Sequence, residues 1–178
     1  FETATGETSP LPRSGVSDEE AAKNSEVQAL IAERVPKLRS LCERLLDRLH
    51  SSTAEFPHGI RWVCKEMEVL ARRTFGNATE QQIYSIVGGF VCLRYLNPAI
   101  VTPDGHNIIA NDTKPSKKQR RNLMLVATVL QNLSNGILFK DKEAFMLPLN
   151  PFVESHSAKM VGFFEQLTGL SNKGTVSA

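Results

Sequence analysis

The sequence predicts an all-α domain, and three observations support this fold class. Apolar residues recur at intervals of three and four along most of the chain, which is the period of a helix with one buried face. At two places a serine or threonine is followed three positions later by glutamine, the spacing of a capping box at a helix start. No segment shows the apolar–polar alternation of a half-buried strand. The 178 residues, 41% of them hydrophobic, are enough to bury the core of one globular domain.

The first third of the chain is predicted to hold a lead-in and two helical stretches. Residues 1–16 are polar and contain two prolines, which indicates an extended lead-in. Ser17, followed by acidic residues, is typical of a helix start and opens the predicted domain, residues 17–168. Pro36 is expected to kink or restart this helix, because its ring removes a backbone donor. The apolar stripe that follows consists of Leu38, Leu41, Leu45, Leu46 and Leu49.

Two further helices are predicted in the middle of the chain. Pro57 suits the first position of a helix whose apolar residues run from Ile60 to Leu70, with Gly76 as its stop. Thr79 and Gln82 form the first capping box, before a helix that reaches Leu96. The sequence "NPAIVTP" is expected to stop that helix abruptly.

The last third is predicted to hold one long helix and two shorter ones. Ser116 and Gln119 form the second capping box, before a helix over residues 117–135. A short helix is expected to end in "NPF", and another to cover "SAKMVGFFEQL". Residues 169–178 are expected to form a frayed tail.

Composition argues against several classes of protein and site. The net charge of +2 is too small to indicate nucleic acid as a partner. No signal peptide and no apolar run of membrane-spanning length is evident, so a cytoplasmic domain without a transmembrane segment is expected. The four histidines are scattered, so neither a metal site nor a cofactor is predicted. The three cysteines lie in apolar helical patterns and are expected to be buried free thiols: Cys42, Cys64 and Cys92.

The apolar segment from Ile86 to Leu96 contains three residues that need an explanation. Gly88 and Gly89 each disfavour a helix by about 0.5–1 kcal/mol relative to alanine, and close approach of a second helix is the structural explanation. Arg94 is expected to be buried and to need a partner. Its planar guanidinium could hold a neighbouring loop through backbone carbonyls.

The long helix combines a basic start with a polar stripe. Five basic residues occur within residues 114–121, where they oppose the helix dipole, so a solvated face and an acidic partner surface both remain open. The polar stripe carries amides and a hydroxyl, which suits hydrogen bonding to another protein. The basic residues are Lys114, Lys117, Lys118, Arg120 and Arg121, and the stripe contains Arg121, Thr128, Gln131, Asn132 and Asn135. The opposing apolar face contains Leu123, Val126, Ala127, Leu130, Leu133 and Ile137.

Residues 90–104, "FVCLRYLNPAIVTPD", resemble the signature of Ras GTPase-activating domains. That signature has a Phe-Leu-Arg-like triplet, here Cys92-Leu93-Arg94, and a Pro-Ala pair three residues later. Residues 120–135 and 146–164 resemble the family's next long helix and its closing segment, so the resemblance covers about residues 37–167 in family order. Residues 5–24 and 96–109 look most like the IQGAP-type branch.

The resemblance implies a role for each residue of the signature. Arg94 would support, through backbone hydrogen bonds, the loop that carries an arginine finger. Leu93 would contact the switch region of a GTP-bound small GTPase, and Asn97, Pro98 and Ala99 would shape a turn beneath it. The GTPase-facing groove would include Arg121, Thr128, Gln131 and Asn135. Thr128 is a departure, because a lysine is usual there.

The resemblance also implies that this chain is the C-terminal part of a multi-helix domain. The finger loop would lie before Phe1, and Arg13, the only arginine in the lead-in, does not stand in a finger-like context. A finger contributes about 10³–10⁵ to GTP hydrolysis, so the chain alone is expected to lack most activity. The missing N-terminal half would also leave an apolar face exposed.

Three functions remain open. The first is a GTPase-activating module for a Ras-type GTPase, with recruitment to membranes through that partner. The second is an IQGAP-like scaffold that binds GTP-loaded Rho-type GTPases without accelerating hydrolysis; the residue at the finger position would separate the two. The third is a helical interaction or lipid-binding module that uses only the basic residues. It predicts that their mutation abolishes binding while Arg94→Ala does little.

Overall fold

The structure is a computed structural model that describes residues 23–110 and 112–170. Helices account for all regular structure in these residues, which confirms the all-α prediction. The α-helices are α1 (Ser25–Ser51), α2 (His58–Thr74), α3 (Glu80–Phe90), α4 (Asn97–Val101), α5 (Lys117–Asn135) and α6 (Asn150–Thr168). A π-helical segment, Val91–Leu96, joins α3 to α4, and 3₁₀ segments occupy Thr53–Glu55 and Asp141–Leu149.

The start of the chain is described from Lys23 onward, so the predicted lead-in and the predicted helix start at Ser17 lie outside the described residues, as does most of the predicted tail. Helix α1 begins at Ser25, where the Asn24 side chain accepts a hydrogen bond from the Glu26 amide at 2.9 Å. The predicted restart at Pro36 is wrong, because α1 continues through it as one helix. Val35 and Leu38, on either side of the proline, are both buried in the core, and this packing maintains the helix.

Both predicted capping boxes are confirmed. The Gln82 amide donates to Thr79 Oγ1 at 3.3 Å, and the Thr79 amide donates to Gln82 Oε1 at 2.8 Å. Ser116 and Gln119 make the same pair of bonds at the start of α5. Helix α5 ends before Gly136, whose φ of 65° is left-handed and therefore suits glycine.

The predicted stop after Leu96 is wrong, because the helical path continues to Val101. The wider turn of the π-helical segment accounts for this continuation. The Asn97 amide donates to the carbonyl of Cys92, five residues earlier, instead of to that of Leu93. Pro98 has no amide hydrogen and would clash with the carbonyl four residues earlier in a regular α-helix, so the wider turn accommodates it. Asn97, Pro98 and Ala99 consequently lie in α4 and do not form the predicted turn.

Smaller differences occur at three other helix ends. Pro57 is the residue before α2 and not its first residue, and α2 ends at Thr74, two residues before Gly76. The sequence "NPF" begins α6 and does not end a short helix. The Asn150 side chain fixes this start, since it accepts from the Phe139 amide at 2.9 Å and donates to the Phe139 carbonyl at 3.1 Å.

The path from Glu80 to Val101 lies at the centre of the fold. It is 22 residues long with a mean hydropathy of 1.3, so by length and composition it could cross a membrane. In the structure 39% of its most apolar window is buried, and its α3 part packs against α2, α5 and α6. The core around it includes Leu46, Val87, Leu133, Phe152 and Phe163, all fully buried.

The two glycines of α3 have different environments. A Cβ at Gly88 would overlap Ser134 Oγ of α5 and would lie 3.1 Å from Cζ of Phe164 in α6. The close-approach explanation is therefore confirmed for Gly88. A Cβ at Gly89 would meet no described atom within 4 Å, so packing among the described residues does not require a glycine there.

The prediction of buried free thiols is confirmed. Cys42, Cys64 and Cys92 are all buried and unbonded to one another. Burial raises the pKa of Cys42 to about 12, that of Cys64 to about 11 and that of Cys92 to about 12. Thiols with such pKa values carry almost no thiolate near neutral pH, so these three are structural.

A buried carboxylate joins α2 to α3. Glu68 accepts from Lys65 at 3.1 Å, from Arg72 at 2.9 Å and from the Tyr84 hydroxyl at 3.2 Å. Arg72 also makes two 2.7 Å bonds to the Glu80 carboxylate. Burial acts to raise the pKa of Glu68, but the donors from Lys65 and Arg72 outweigh it, and the pKa is lowered.

We expect Glu68→Gln to reduce the free energy of unfolding by about 1–2 kcal/mol near neutral pH, because charge-assisted hydrogen bonds are lost. A lowered pKa stabilises the fold above the ordinary glutamate pKa, and this contribution disappears as pH falls through the native value. Urea unfolding measured between pH 7 and pH 3 should therefore show that the free energies of unfolding of the unaltered chain and of Glu68→Gln become equal in acid. Glu66→Gln is the control, since Glu66 is exposed on the same helix. If the free energies of unfolding of the two proteins differed by the same amount at every pH, the stabilising role of the Glu68 charge would be contradicted.

Candidate functional site

The described residues hold no cluster of three or more His, Cys, Asp or Glu side chains that could bind a metal ion. His50 and His156 both lie near Asp47, whose pKa they help to lower. His106 Nδ1 lies 3.0 Å from the Thr102 carbonyl, and His156 Nε2 lies 3.5 Å from Glu43. His156 Nδ1 also lies 2.9 Å from Ser155 Oγ, within the reach of a nucleophile and its base. Both groups lie close to the Phe152 carbonyl, at 3.0 and 3.1 Å, so they are held to the backbone of α6.

An apolar face lies on α2 and the start of α3. Trp62, Leu70 and Phe75 are each 54% exposed, and Val69 and Ile86 are also exposed. A shallow cavity of about 520 Å³ opens beside it, lined by Phe75, Gly76, Asn77, Ala78, Gln82 and Ile86. The lining contains no charged group, so this cavity lacks the means for acid–base chemistry.

The polar residues predicted at the site come together where α4 meets α5. Asn97 Nδ2 donates to Gln131 Oε1 at 3.0 Å, and Gln131 Nε2 donates to Asn135 Oδ1 at 3.2 Å. We call Asn97, Gln131 and Asn135 the amide row. Asn97 is 9% exposed, and its Oδ1 is buried with no donor among the described residues. The amide row therefore holds a buried acceptor that a further donor could satisfy.

The other predicted residues of the two helices lie around the amide row. Thr128 is half-buried, and its hydroxyl donates to the Met124 carbonyl at 2.9 Å. Its donor capacity is therefore used within α5. Arg121 is exposed near the start of α5, and Pro98 and Ala99 are half-buried in α4. Ile137, which was assigned to the apolar face, is 51% exposed beyond the end of the helix.

Leu93 and Arg94 both face solvent on the π-helical segment. Leu93 is 49% exposed. The predicted burial of Arg94 is wrong: its side chain is exposed and makes no hydrogen bond or ion pair with any described residue. The π-helical turn explains the difference, because it changes the angular spacing that a regular helix would impose on this apolar run. Arg94 is thus available to a group outside the described residues.

Three contacts near the site were not predicted from the sequence. The Tyr95 ring lies 6.2 Å from that of Phe56, which packs edge-on against Phe163 at 5.8 Å. This aromatic series braces the π-helical segment against α6. Arg120 pairs with Asp104 at 2.7 Å and fixes the loop after α4 to the start of α5. Sixteen residues separate the members of that pair, so no local pattern could reveal it.

Comparison with known proteins identifies the family. Residues 2–135 match the model of the RasGAP family, described as GTPase-activator proteins for Ras-like GTPases. The chain is 35% identical, over 93% of its length, to the Ras GTPase-activating-like protein rgaA of Dictyostelium discoideum. It is 34% identical over 93% of its length to mouse IQGAP2, and 38% identical over 71% to Neurofibromin-A of Dictyostelium discoideum.

The chain spans only part of these relatives: 20% of rgaA, 11% of mouse IQGAP2 and 14% of Neurofibromin-A. The match confirms the resemblance drawn from the signature around Arg94, including its likeness to IQGAP-type proteins. The family model covers more than half of the chain, and the helical fold agrees with it. The chain therefore belongs to the RasGAP family.

Proposed function

We propose that this chain is part of a GTPase-activating module and that it binds the switch regions of a GTP-loaded small GTPase of the Ras type. The observation that supports this most directly is the amide row with its unsatisfied acceptor on Asn97, one turn from the exposed Leu93 and Arg94. A protein partner can satisfy buried amide groups and cover an exposed leucine in one interface. Family membership supplies the class of partner.

In the proposed mechanism, one set of residues binds the GTPase and another residue affects the rate of GTP hydrolysis. Leu93 and the amide row bind the GTPase, with Arg121 and the half-buried Thr128, Pro98 and Ala99 completing the groove. Arg94 is a positioning residue: its guanidinium, which bonds to no described residue, holds the loop that carries the arginine finger. That loop belongs to a segment upstream of Phe1, so the chain alone binds the GTPase but accelerates hydrolysis little. A finger lowers the barrier by stabilising charge in the transition state and accounts for about 10³–10⁵ of the rate.

A second candidate is an effector-type scaffold that binds GTP-loaded Rho-type GTPases without accelerating hydrolysis. Two observations support this scaffold as a candidate function. Mouse IQGAP2 is similar over 93% of the chain, and Thr128 stands where the resemblance implies a lysine. Single-turnover hydrolysis separates the two candidates, using a longer protein that includes the segment before Phe1. Acceleration by that protein but not by this chain supports the activating module. Binding without acceleration by either supports the scaffold. Under either proposal we expect a cytoplasmic protein that its GTPase partner recruits to membranes.

We expect this chain to bind a Ras-type GTPase loaded with a non-hydrolysable GTP analogue at least about tenfold more tightly than the GDP form, if it reads the switch regions. Leu93→Asp should weaken binding of the analogue form by at least about tenfold, because the interface would bury an unpaired charge. Calorimetric titration measures both affinities.

Leu41→Asp is the matched control, since Leu41 is 42% exposed on α1 and lies outside the proposed interface. Equal loss of affinity in both variants would argue against the proposed surface. Equal affinity for the two nucleotide states would argue against recognition of the switch regions.

A further inference from the structure

The loop after α4 and the start of α5 are rich in basic residues, of which the proposed function uses only Arg121. Residues 105–121 contain five lysines and arginines and a single acidic residue, Asp112. Lys114 and Lys117 are exposed, and Arg121 is exposed one turn later. Arg120 is paired with Asp104, while Lys114 and Lys117 have their side chains exposed.

An exposed apolar side chain accompanies these charges. Ile108 is 61% exposed, more than any other large hydrophobic side chain among the described residues. It lies in the same loop, next to Asn107, whose φ of 54° is left-handed. Exposure of one isoleucine is ordinary in itself, but its position within a strongly basic region is not explained by packing.

The structure holds the apolar and basic components together. Arg120 donates to Asp104 Oδ2 at 2.7 Å and to the Val101 carbonyl at 3.4 Å, so the start of α5 is tied to both ends of the turn that follows α4. His106 Nδ1 lies 3.0 Å from the Thr102 carbonyl and further fixes the loop. The Ile108 amide donates to the Pro103 carbonyl at 2.9 Å, so Ile108 lies on the loop that Arg120 ties to the start of α5, where Lys117 is the first residue.

We propose that Ile108, Lys114 and Lys117 form a docking surface for an anionic lipid membrane. Basic side chains are attracted to the negative potential of acidic lipids, and an apolar side chain among them inserts below the headgroups. Charge complementarity selects this partner. Positive charges at a helix start oppose the helix dipole, and an anionic surface relieves that cost. The proposal is independent of the GTPase interface at the amide row.

The test is sedimentation of this chain with vesicles of phosphatidylcholine, alone or with about 30% phosphatidylserine, an acidic lipid. We expect binding only to the acidic vesicles, with a marked loss as salt rises from about 0.1 to 0.5 M. The double variant Lys114→Glu/Lys117→Glu should bind at least about tenfold more weakly. Ile108→Ser should bind several-fold more weakly at both salt concentrations.

Matched controls use similar residues elsewhere. Lys140→Glu/Lys142→Glu changes the net charge equally at another exposed lysine pair, and Ile137→Ser removes another exposed isoleucine. Both should bind as the unaltered chain does, and circular dichroism should show every variant equally helical. No binding to acidic vesicles, or an equal loss in the control pair, would overturn the proposal. So would unchanged binding by Ile108→Ser. If Lys114→Glu/Lys117→Glu binds vesicles normally but loses a GTP-loaded GTPase, the surface contacts protein and the membrane assignment is wrong.

Discussion

Replacing Arg94 with alanine is expected to lower the single-turnover rate of GTP hydrolysis by about 10²-fold, the usual scale for a catalytic group displaced by about 1 Å. The assay uses a longer protein extended upstream of Phe1, which on the proposed mechanism carries the finger loop. The affinity for the GTP-loaded GTPase should change much less, by about threefold or less. This separation follows from the structure, in which Arg94 is exposed and bonded to no described residue, so its removal leaves the fold intact.

Two further variants make the Arg94 experiment specific. Arg73→Ala removes another exposed arginine, at the end of α2, and should leave both rate and affinity unchanged. Arg94→Lys retains the charge but not the planar set of five donors, so it should restore only a small part of the rate. Equal losses of rate and affinity in Arg94→Ala would show that the residue binds the GTPase and does not position the finger loop.

Gly88→Val is expected to be the most destabilising of the substitutions considered for the fold, at about 3 kcal/mol, because it overpacks a tight helix contact. The added Cβ would overlap Ser134 Oγ and approach Phe164 Cζ to 3.1 Å, and the valine methyl groups would extend farther into the same space. Either α5 and α6 must move away from α3 or the side chains must leave their preferred rotamers. This loss of stability corresponds to a decrease of roughly 6–12 °C in the melting temperature of a domain of this size.

Gly89→Val provides the matched comparison, since the same residue is introduced one position later in the same helix. No described atom lies within 4 Å of a Cβ at Gly89, so the substitution should be neutral or slightly stabilising through its helix propensity. Denaturant titration of both variants measures the difference. Similar stabilities for the two would contradict the close packing of α3 against α5 and α6.

The features that could be predicted from the sequence depend on residues close together in the chain. The capping boxes at Thr79 and Ser116 were predicted because both partners lie within four positions. The period of apolar residues gave the helices for the same reason. The amide row was anticipated in part, because Gln131 and Asn135 lie one turn apart on α5, while the place of Asn97 came from the family resemblance.

The features that were missed depend on distant partners or on a change of helix type. Nothing local indicates that Tyr95 packs on Phe56 or that Arg120 pairs with Asp104. The exposure of Arg94 was missed because its burial was inferred from an apolar run whose members Leu93 and Tyr95 are themselves exposed on the π-helical segment. The stop expected at Pro98 presupposed a regular α-helical turn, whereas the wider turn accommodates the proline.

The π-helical segment also sets the rotation of α4 relative to α3. Each residue of an α-helix advances the side-chain direction by about 100°, so one extra residue in a turn shifts the phase of everything after it. In the observed phase, Asn97 points at Gln131 while Val87 and Val91 remain in the core. If the π-helical segment were one residue shorter, the helix before it could keep its side chains and hydrogen bonds unchanged. Asn97 would nevertheless be rotated away from α5. The number of residues between Phe90 and Asn97 is therefore as much a part of the site as their identity.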